Sequence, residues 1–493
     1  MKLSELLPSG AYRASISAEM VDIKGLSDHT EEAREGDAFI ARRGKRFDPL
    51  HMLSKMESVG VRAIILEEGH HIPVKSNIPC FFVKDIEETR ASLWSKYFGV
   101  PQKDLAVIGI TGTNGKTTTA LILSHILNAS GRKCGYIGTL GVFSGGRARD
   151  ELKEGTLTTP SPKHLFGALR ALRDDGCKYA VLEVSSHALE QKRVLPISFT
   201  VSAFTNLSED HLDYHETMDA YFEAKALLFR QSSHALINID DPYGRALYKR
   251  LLIKKSSLGI LCNADHSLTD LNEKEGSGAQ YTYRARGDSI PLKTNLLGSF
   301  NLYNSLTAVS LARMLGVDAK DIQTGLLSLP VIRGRMEKLI FKEKAPPFSV
   351  IIDYAHTPDA LKAAICCAKR FTRGRVIAVF GAGGDREKEK RAKMGTVAER
   401  YADFSFITTD NSRSEETLSI IRDILSGMPK EEKRKVVSNR KNAIEEALSA
   451  AKDGDTVLLL GKGHEEYMVT KEGTVPFSEK SIVYAFLLER GYQ

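Results

Sequence analysis

The sequence predicts an α/β chain in three segments. These are a small mixed α/β domain over 1–103, a central phosphate-loop ATPase domain with a largely parallel sheet over 104–333, and a Rossmann-like domain over 334–493. Three observations carry this. At 493 residues the chain is too long for one ordinary core, and roughly two to four domains are expected. A glycine-rich stretch, Gly112-Thr113-Asn114-Gly115-Lys116-Thr117-Thr118, separates an apolar run at 105–110 from an amphipathic run at 118–129, which reads as strand, turn and helix. From about 334, strand-like and helix-like runs alternate afresh, the pattern of a parallel sheet.

Composition narrows the class. Hydrophobic residues at 42% and charged residues at 27% belong to a globular protein, and no apolar run approaches the ~18–20 residues of a membrane span. Residues 1–8 lack the apolar core of a signal peptide, and the six cysteines show no CxxC spacing, so a reducing cytoplasm is expected. The net charge of +7 suits either plain solubility or a cationic cleft for a polyanion. Nucleic acid is disfavoured because no basic, aromatic-interleaved face is present.

In the first segment, strands are expected at 62–66 and 80–83 and helices at 50–59 and 87–98. The basic loop Arg42-Arg43-Gly44-Lys45-Arg46-Phe47 suits a nucleotide diphosphate with Phe47 against a base or sugar, or is simply solvated. At the central loop, backbone N–H groups and the helix N-terminus would surround phosphate oxygens. Lys116 would reach the terminal phosphates and Thr117 would offer its hydroxyl to Mg²⁺. The usual first glycine, five residues before Gly115, is Ile110 here. A nucleoside triphosphate is the expected ligand.

Three further sites follow. The expected strand at 179–184 carries Glu183, a Mg²⁺ ligand or an exposed strand end, with Ser185 and Gln191-Lys192-Arg193 beyond it. After a strand at 199–204, the segment 205–215 is dense in His and Asp. That density allows a Zn²⁺ hydrolase, although beside a phosphate loop His211 better suits a supporting role at Mg²⁺. Lys225, on a helical pattern, reads by itself as a snorkelling surface lysine. Asn301 and Asn304 would cap a helix at 305–315 or contact nucleotide, and the arginines of Arg333-Gly334-Arg335 would face ATP. In the last segment, strands are expected at 349–353, 375–380, 404–408 and 456–460. The loops at 381–386, 410–413 and 461–465 would then leave one sheet edge. Arg386, Arg413 and Glu465 there suit a zwitterionic amino acid.

The motifs at 111–118, 183–187, 205–215, 334–337 (Gly-Arg-Met-Glu), 353–361 (Asp-Tyr-Ala-His-Thr-Pro-Asp-Ala-Leu) and 461–465 (Gly-Lys-Gly-His-Glu) occur in order. Together they resemble the Mur ligase family, and within it the branch that adds a diamino acid. The resemblance implies ATP and Mg²⁺ as cofactors and UDP-N-acetylmuramoyl-L-alanyl-D-glutamate and meso-diaminopimelate as substrates, joined through an acyl phosphate. It implies a cytoplasmic protein, expected to be a monomer, with no nucleic-acid partner and no membrane span. It assigns ATP to Gly112, Thr113, Asn114, Gly115, Lys116, Thr117, Thr118, Asn304, Arg335 and Asp353. It assigns the metal to Thr117, Glu183, His211 and Lys225, the last as a carbamate. The uridine substrate falls to Thr30, Lys45, Arg46, Phe47, Thr158, Thr159, Ser185, Gln191 and Arg193. The amino acid falls to Arg386, Asp410, Asn411, Ser412, Arg413, Gly461 and Glu465. Ser412 stands where the diaminopimelate type has proline, which leaves lysine or another diamino acid as alternatives. A folylpolyglutamate synthase-like ligase is the nearest rival, and an ATP-switched binding protein is the rival of another class.

Overall fold

The structure, a computed structural model, describes residues 1–42, 53–69, 77–155, 157–274, 276 and 278–492. It is α/β throughout, and the chain divides into two interleaved units. One comprises 1–111, 131–202 and 224–235, and the other 112–130, 203–223 and 236–493. This partition runs through the central segment rather than between sequential blocks.

In the first unit, Gly25–Ser27, Asp37–Ile40, Ala63–Glu67 and Cys80–Val83 form a four-stranded parallel sheet in chain order. The helix Ile86–Tyr97 begins where Asp85 accepts the Glu88 N–H at 2.9 Å, a normal N-cap. The expected helix at 50–59 is seen as Leu53–Val59, its earlier residues lying outside the described ones. A second sheet pairs Ala106–Thr111 and Cys134–Gly138 with Tyr179–Glu183 between them, all parallel and largely buried. In that register Ile110 lies opposite Glu183.

In the second unit, the helix Lys116–Ala129 packs against Ser299–Met314 and Ala319–Leu327. A Cβ on Gly325 would stand 2.9 Å from the Ile126 backbone, so the close approach requires glycine there. The predicted helix at 305–315 begins earlier, at Ser299, and this overturns the capping role of its asparagines. Asn301 and Asn304 lie inside the helix on its buried face, where Asn304 Nδ2 donates to Asn301 Oδ1 at 2.8 Å. The last sheet orders Glu337–Lys338, Ser349–Asp353, Thr456–Leu460, Val376–Phe380, Phe404–Ile407 and Arg434–Val436, all parallel but for the first pair. Helices cover both its faces, which is why Val376–Phe380 and Thr456–Leu460 read as unbroken apolar runs. The expected strands there hold to within one residue. Among the described residues no helix is long and apolar enough to cross a membrane.

The strand ends that carry the loops are tied by a buried ion pair. Arg440 donates to Thr409 O at 3.0 Å, to Leu460 O at 2.7 Å and, through Nε, to Glu479 Oε1 at 2.9 Å. Both side chains are buried, and removing one partner of such a pair costs about 3–5 kcal/mol because the other charge is left in a dry interior. Arg440→Met is therefore expected to lower the urea midpoint sharply, and Arg440→Met/Glu479→Met to recover much of the loss. A single variant as stable as the parent would show that the pair contributes nothing.

Candidate functional site

The phosphate loop is held from outside itself. Gly112 has φ 141° and Gly115 has φ 88°, values that favour glycine. A Cβ on Gly112 would fall 1.9 Å from Thr205 Oγ1, and one on Gly115 would fall 2.3 Å from Asn304 Oδ1. Into the space left by the missing side chains comes the segment 205–208. Thr113 N donates to Asn206 O at 2.8 Å and Asn114 N to Asn206 Oδ1 at 3.0 Å. Thr205 Oγ1 and Asn206 Nδ2 both donate to the Asn114 carbonyl, at 2.7 and 3.1 Å. Ser208 N donates to Thr113 Oγ1 at 3.0 Å. The segment whose His and Asp density suggested metal chemistry thus spends Thr205, Asn206 and Ser208 on bracing the loop.

At the loop's end, Lys116 Nζ donates to Gly112 O and Thr113 O, both at 2.9 Å. Thr117 and Thr118 are buried in the helix's first turn, where N–H groups have no intrahelical acceptor. Arg335 Nη2 donates to Thr117 Oγ1 at 3.0 Å, and its guanidinium lies 4.9 Å from the centre of the Tyr354 ring. Asp353 accepts Met336 N at 2.7 Å and Ala355 N at 2.8 Å. Burial pushes its carboxyl above the ordinary range, against the pull of Arg335. Asn304 and Arg335 thus stand at this loop, and Asp353 holds the backbone next to Arg335.

Nearby, Asp210 is buried with His211 Nε2 at 3.4 Å, Lys390 Nζ at 3.6 Å and His356 Nε2 at 3.9 Å. Burial opposes its ionisation, but His211, Lys390 and His356 together hold the carboxyl well below the usual range. Lys390 gave no sequence signal and comes from the helix Glu389–Tyr401, whereas His356 lies in the 353–361 motif, which does not itself indicate a pairing with Asp210.

In the first unit Glu183 is fully buried, so the exposed strand end does not hold. Its carboxylate accepts Tyr136 OH at 2.5 Å, Thr139 N at 3.0 Å and Thr139 Oγ1 at 3.2 Å. Thr139 Oγ1 also donates to Thr158 at 3.2 Å. Thr159 Oγ1 donates to Glu183 O at 2.8 Å and to Ser185 Oγ at 3.2 Å, while Arg193 donates to Thr159 O at 2.8 Å and to Gln191 Oε1 at 2.6 Å. Thr158, Thr159, Ser185, Gln191 and Arg193 thus form one network, which Tyr136 and Thr139 join unforeseen. Burial, then Arg90, lowers the Arg193 guanidinium below its ordinary value, an environment that favours an anion. Thr30 stands in a turn anchored by Asp28, which accepts Arg90 Nε at 2.5 Å and Trp94 Nε1 at 3.1 Å. Lys45, Arg46 and Phe47 lie outside the described residues. Lys225, on Met218–Ala226, is only 1% exposed, which overturns the surface reading.

At the last sheet, the three loops do leave one strand edge. Asp410 accepts Asn411 N at 2.5 Å, and a Cβ on Gly461 would stand 2.6 Å from Asp410 Oδ2. Asn411 Nδ2 donates to Glu465 Oε2 at 2.9 Å, and Arg413 Nη1 to Gly384 O at 2.6 Å. Arg413, at φ 51°, is lowered by burial and then by Arg386. Arg386 itself is exposed. Ser412 is buried, its carbonyl packed where a Cβ on Gly384 would come within 1.9 Å.

Comparison with known proteins adds a lineage to this geometry. Residues 110–312 match the Mur ligase middle domain and 334–463 the Mur ligase, glutamate ligase domain. The chain is 37% identical over 492 residues, 99% of each chain, to the UDP-N-acetylmuramoyl-L-alanyl-D-glutamate–2,6-diaminopimelate ligase of Clostridium perfringens. The chain belongs to the Mur ligase family. A ligase of the same name from Aquifex aeolicus is 39% identical, with 94% of each chain covered. A solved structure with that name superposes with a TM-score of 0.68 at 27% identity over 100% of both chains. The two matched Mur ligase domains hold the phosphate loop, Glu183, His211, Lys225, Arg335 and the loops at 381–386 and 410–413; Glu465 falls just beyond the second.

The glycine-rich loop after Val376–Phe380 is fixed by Arg391, which donates to Gly383 O at 3.1 Å, to Glu415 at 2.8 and 2.9 Å, and to Asp423 at 2.8 Å. The Arg391 hydrogen bonds bring Glu415 down to about 2. A folded value below the unfolded one gives stability that is complete above about pH 4.5 and is lost as pH falls toward 2. The stability gap between parent and Arg391→Met is thus expected to be widest near neutrality and to narrow on acidification. A gap independent of pH in acid-unfolding curves would refute the pairing.

Proposed function

We propose that this chain is an ATP-dependent ligase that joins meso-diaminopimelate to the D-glutamate of UDP-N-acetylmuramoyl-L-alanyl-D-glutamate. The reading rests on full-length relatives named for that reaction. The observation that carries it is a braced phosphate loop in the same chain as a loop cluster presenting a half-buried arginine fork and a carboxylate. The fork suits the distal carboxylate that lysine lacks. The segments 1–103, 104–333 and 334–493 are proposed as the uridine, ATP and amino-acid domains. The nucleotide substrates favour a cytoplasmic location.

The reaction brings anions together, so positioning and charge neutralisation supply most of the catalysis. The D-glutamate side-chain carboxylate forms a bond to the γ-phosphorus as the β–γ bridging bond breaks, releasing ADP. The amino acid's amine then attacks the acyl carbon, loses a proton, and phosphate departs. Lys116 would turn from its own loop carbonyls to the β- and γ-phosphates, and Arg335 offers a further cation, its buried Nε having no hydrogen-bond partner. The oxygen donors Thr117 and Glu183 fit a hard cation such as Mg²⁺, which when bound would neutralise the phosphates. His211 is proposed to support that metal. Lys225 is buried, where an ammonium is costly and a carbamate would reverse its sign. Thr158, Thr159, Ser185, Gln191 and Arg193 hold the uridine substrate, and Arg413, Arg386 and Glu465 the amino acid.

The direct test is ADP release from the purified protein with the muramoyl dipeptide across a panel of diamino acids. Release is expected only with all three substrates and best with meso-diaminopimelate. Release with a folate instead, or nucleotide binding without turnover, would remove the assignment. For the carbamate, turnover is expected to fall in CO₂-stripped buffer, to return with bicarbonate, and to be lost in Lys225→Ala with circular dichroism unchanged. Near-normal turnover of that variant would rule the carbamate out.

A further inference from the structure

Lys462 follows the strand Thr456–Leu460 and is fully buried. Its Nζ donates to Asn411 Oδ1 at 2.8 Å and to Glu465 Oε2 at 2.7 Å, and lies 5.2 Å from the centre of the Tyr467 ring. An ammonium is a donor only, and the second group facing Asn411 Oδ1, the Val469 N–H at 2.9 Å, is also a donor. Two donors at one end fix the orientation of the amide. Asn411 Nδ2 must then point to Glu465 Oε2, where it sits at 2.9 Å. Oε2 is thereby filled by two donors. Oε1 receives the Tyr354 hydroxyl at 3.4 Å, at the long limit of a hydrogen bond.

We infer that Lys462 is a positioning residue for amino-acid selection, which locks Asn411 and one oxygen of Glu465 so that the other oxygen is presented to the ammonium of the incoming amino acid. The residue acts through Asn411 and Glu465, the two groups its Nζ holds. A buried lysine here costs desolvation, which its two hydrogen bonds and the face of Tyr467 offset. The same cation, with Arg440, helps hold Asp410 ionised against its burial. One lysine therefore joins the loop at 410–413, the loop at 461–465 and the hairpin Tyr467–Thr470/Gly473–Pro476.

The inference rests on the amino-acid ligase reading, and a double-mutant cycle separates the two. Steady-state kinetics would be measured for the full chain and for Lys462→Met, Glu465→Gln and the combined variant, with each substrate varied. Lys462→Met is expected to raise the KM for the diamino acid about tenfold or more, while the KM values for ATP and the nucleotide-peptide stay within about twofold. In the Glu465→Gln background the same change is expected to add about twofold or less. Equal effects in both backgrounds, or a parallel loss for all three substrates, would overturn the positioning role. Where Lys462→Met alone fails to fold, Glu465→Gln is compared with the combined variant, which removes both charges of the pair: a diamino-acid KM within about twofold of Glu465→Gln supports the positioning role, and a larger further rise overturns it. If the parent releases no ADP with any diamino acid, the ligase reading falls and the inference with it.

Discussion

The structure depends on how the carbonyl of Asn114 is disposed of. A loop that presents N–H groups to an anion must turn its carbonyls elsewhere, and each buried carbonyl then needs a donor. Thr205 and Asn206 supply two for Asn114, while Asn206 also takes the N–H groups of Thr113 and Asn114. What remains for a ligand is the first turn of Lys116–Ala129, where helix geometry leaves N–H groups and a positive dipole end. Two glycines make the approach possible, since any Cβ would meet Thr205 or Asn304. A phosphate loop is usually described by its own residues. Here its conformation is set by a segment some ninety residues further along.

The two units solve the problem of buried charge differently. Glu183 is satisfied by hydroxyls and an amide N–H, so its partners include neutral donors that leave the carboxylate's charge in place. Such a group still favours a cation nearby. In the second unit, Asp210, Asp410 and Glu479 each have a lysine, an arginine or a histidine within the same cluster. These pairs are weak sources of stability because desolvation cancels much of their attraction. Their effect is orientation. Arg440 binds two strand-end carbonyls and a helix carboxylate at once, so the loops beyond those strands start from fixed points.

How far this was legible in the sequence differs by level. Strand–helix alternation gave the last sheet almost to the residue, because central strands such as Val376–Phe380 must be apolar on both faces. The motifs gave the loops, since glycine and charged residues at strand ends have few other uses. What the motifs could not give was the assignment of work within them. The segment 205–215 drew notice for its His and Asp density, and nothing in it announced that Thr205, Asn206 and Ser208 brace the glycine loop. Asn301 and Asn304 read as caps because asparagine is common there, but a helix that starts at Ser299 turns both inward. Lys225 shows the same limit, since a nine-residue helix with mixed composition carries too little periodicity to say which face is buried. Partners such as Tyr136, Thr139 and Lys390 were invisible because proximity across a fold has no local signature.

The loops at 381–386, 410–413 and 461–465, proposed above to take the amino acid, show why such a site belongs at the ends of several parallel strands. A zwitterion needs an acceptor for its ammonium and a fork for its carboxylate, held several ångströms apart without neutralising each other. On a single loop, a carboxylate and a guanidinium would close into an ion pair. Here Glu465 and Arg413 come from loops after different strands, and each is occupied from behind, Glu465 by Lys462 and Asn411, Arg413 by the Gly384 carbonyl. Those contacts oppose collapse of the two charges onto each other. On the proposed reading, the binding free energy of the zwitterion need not be spent on prying them apart.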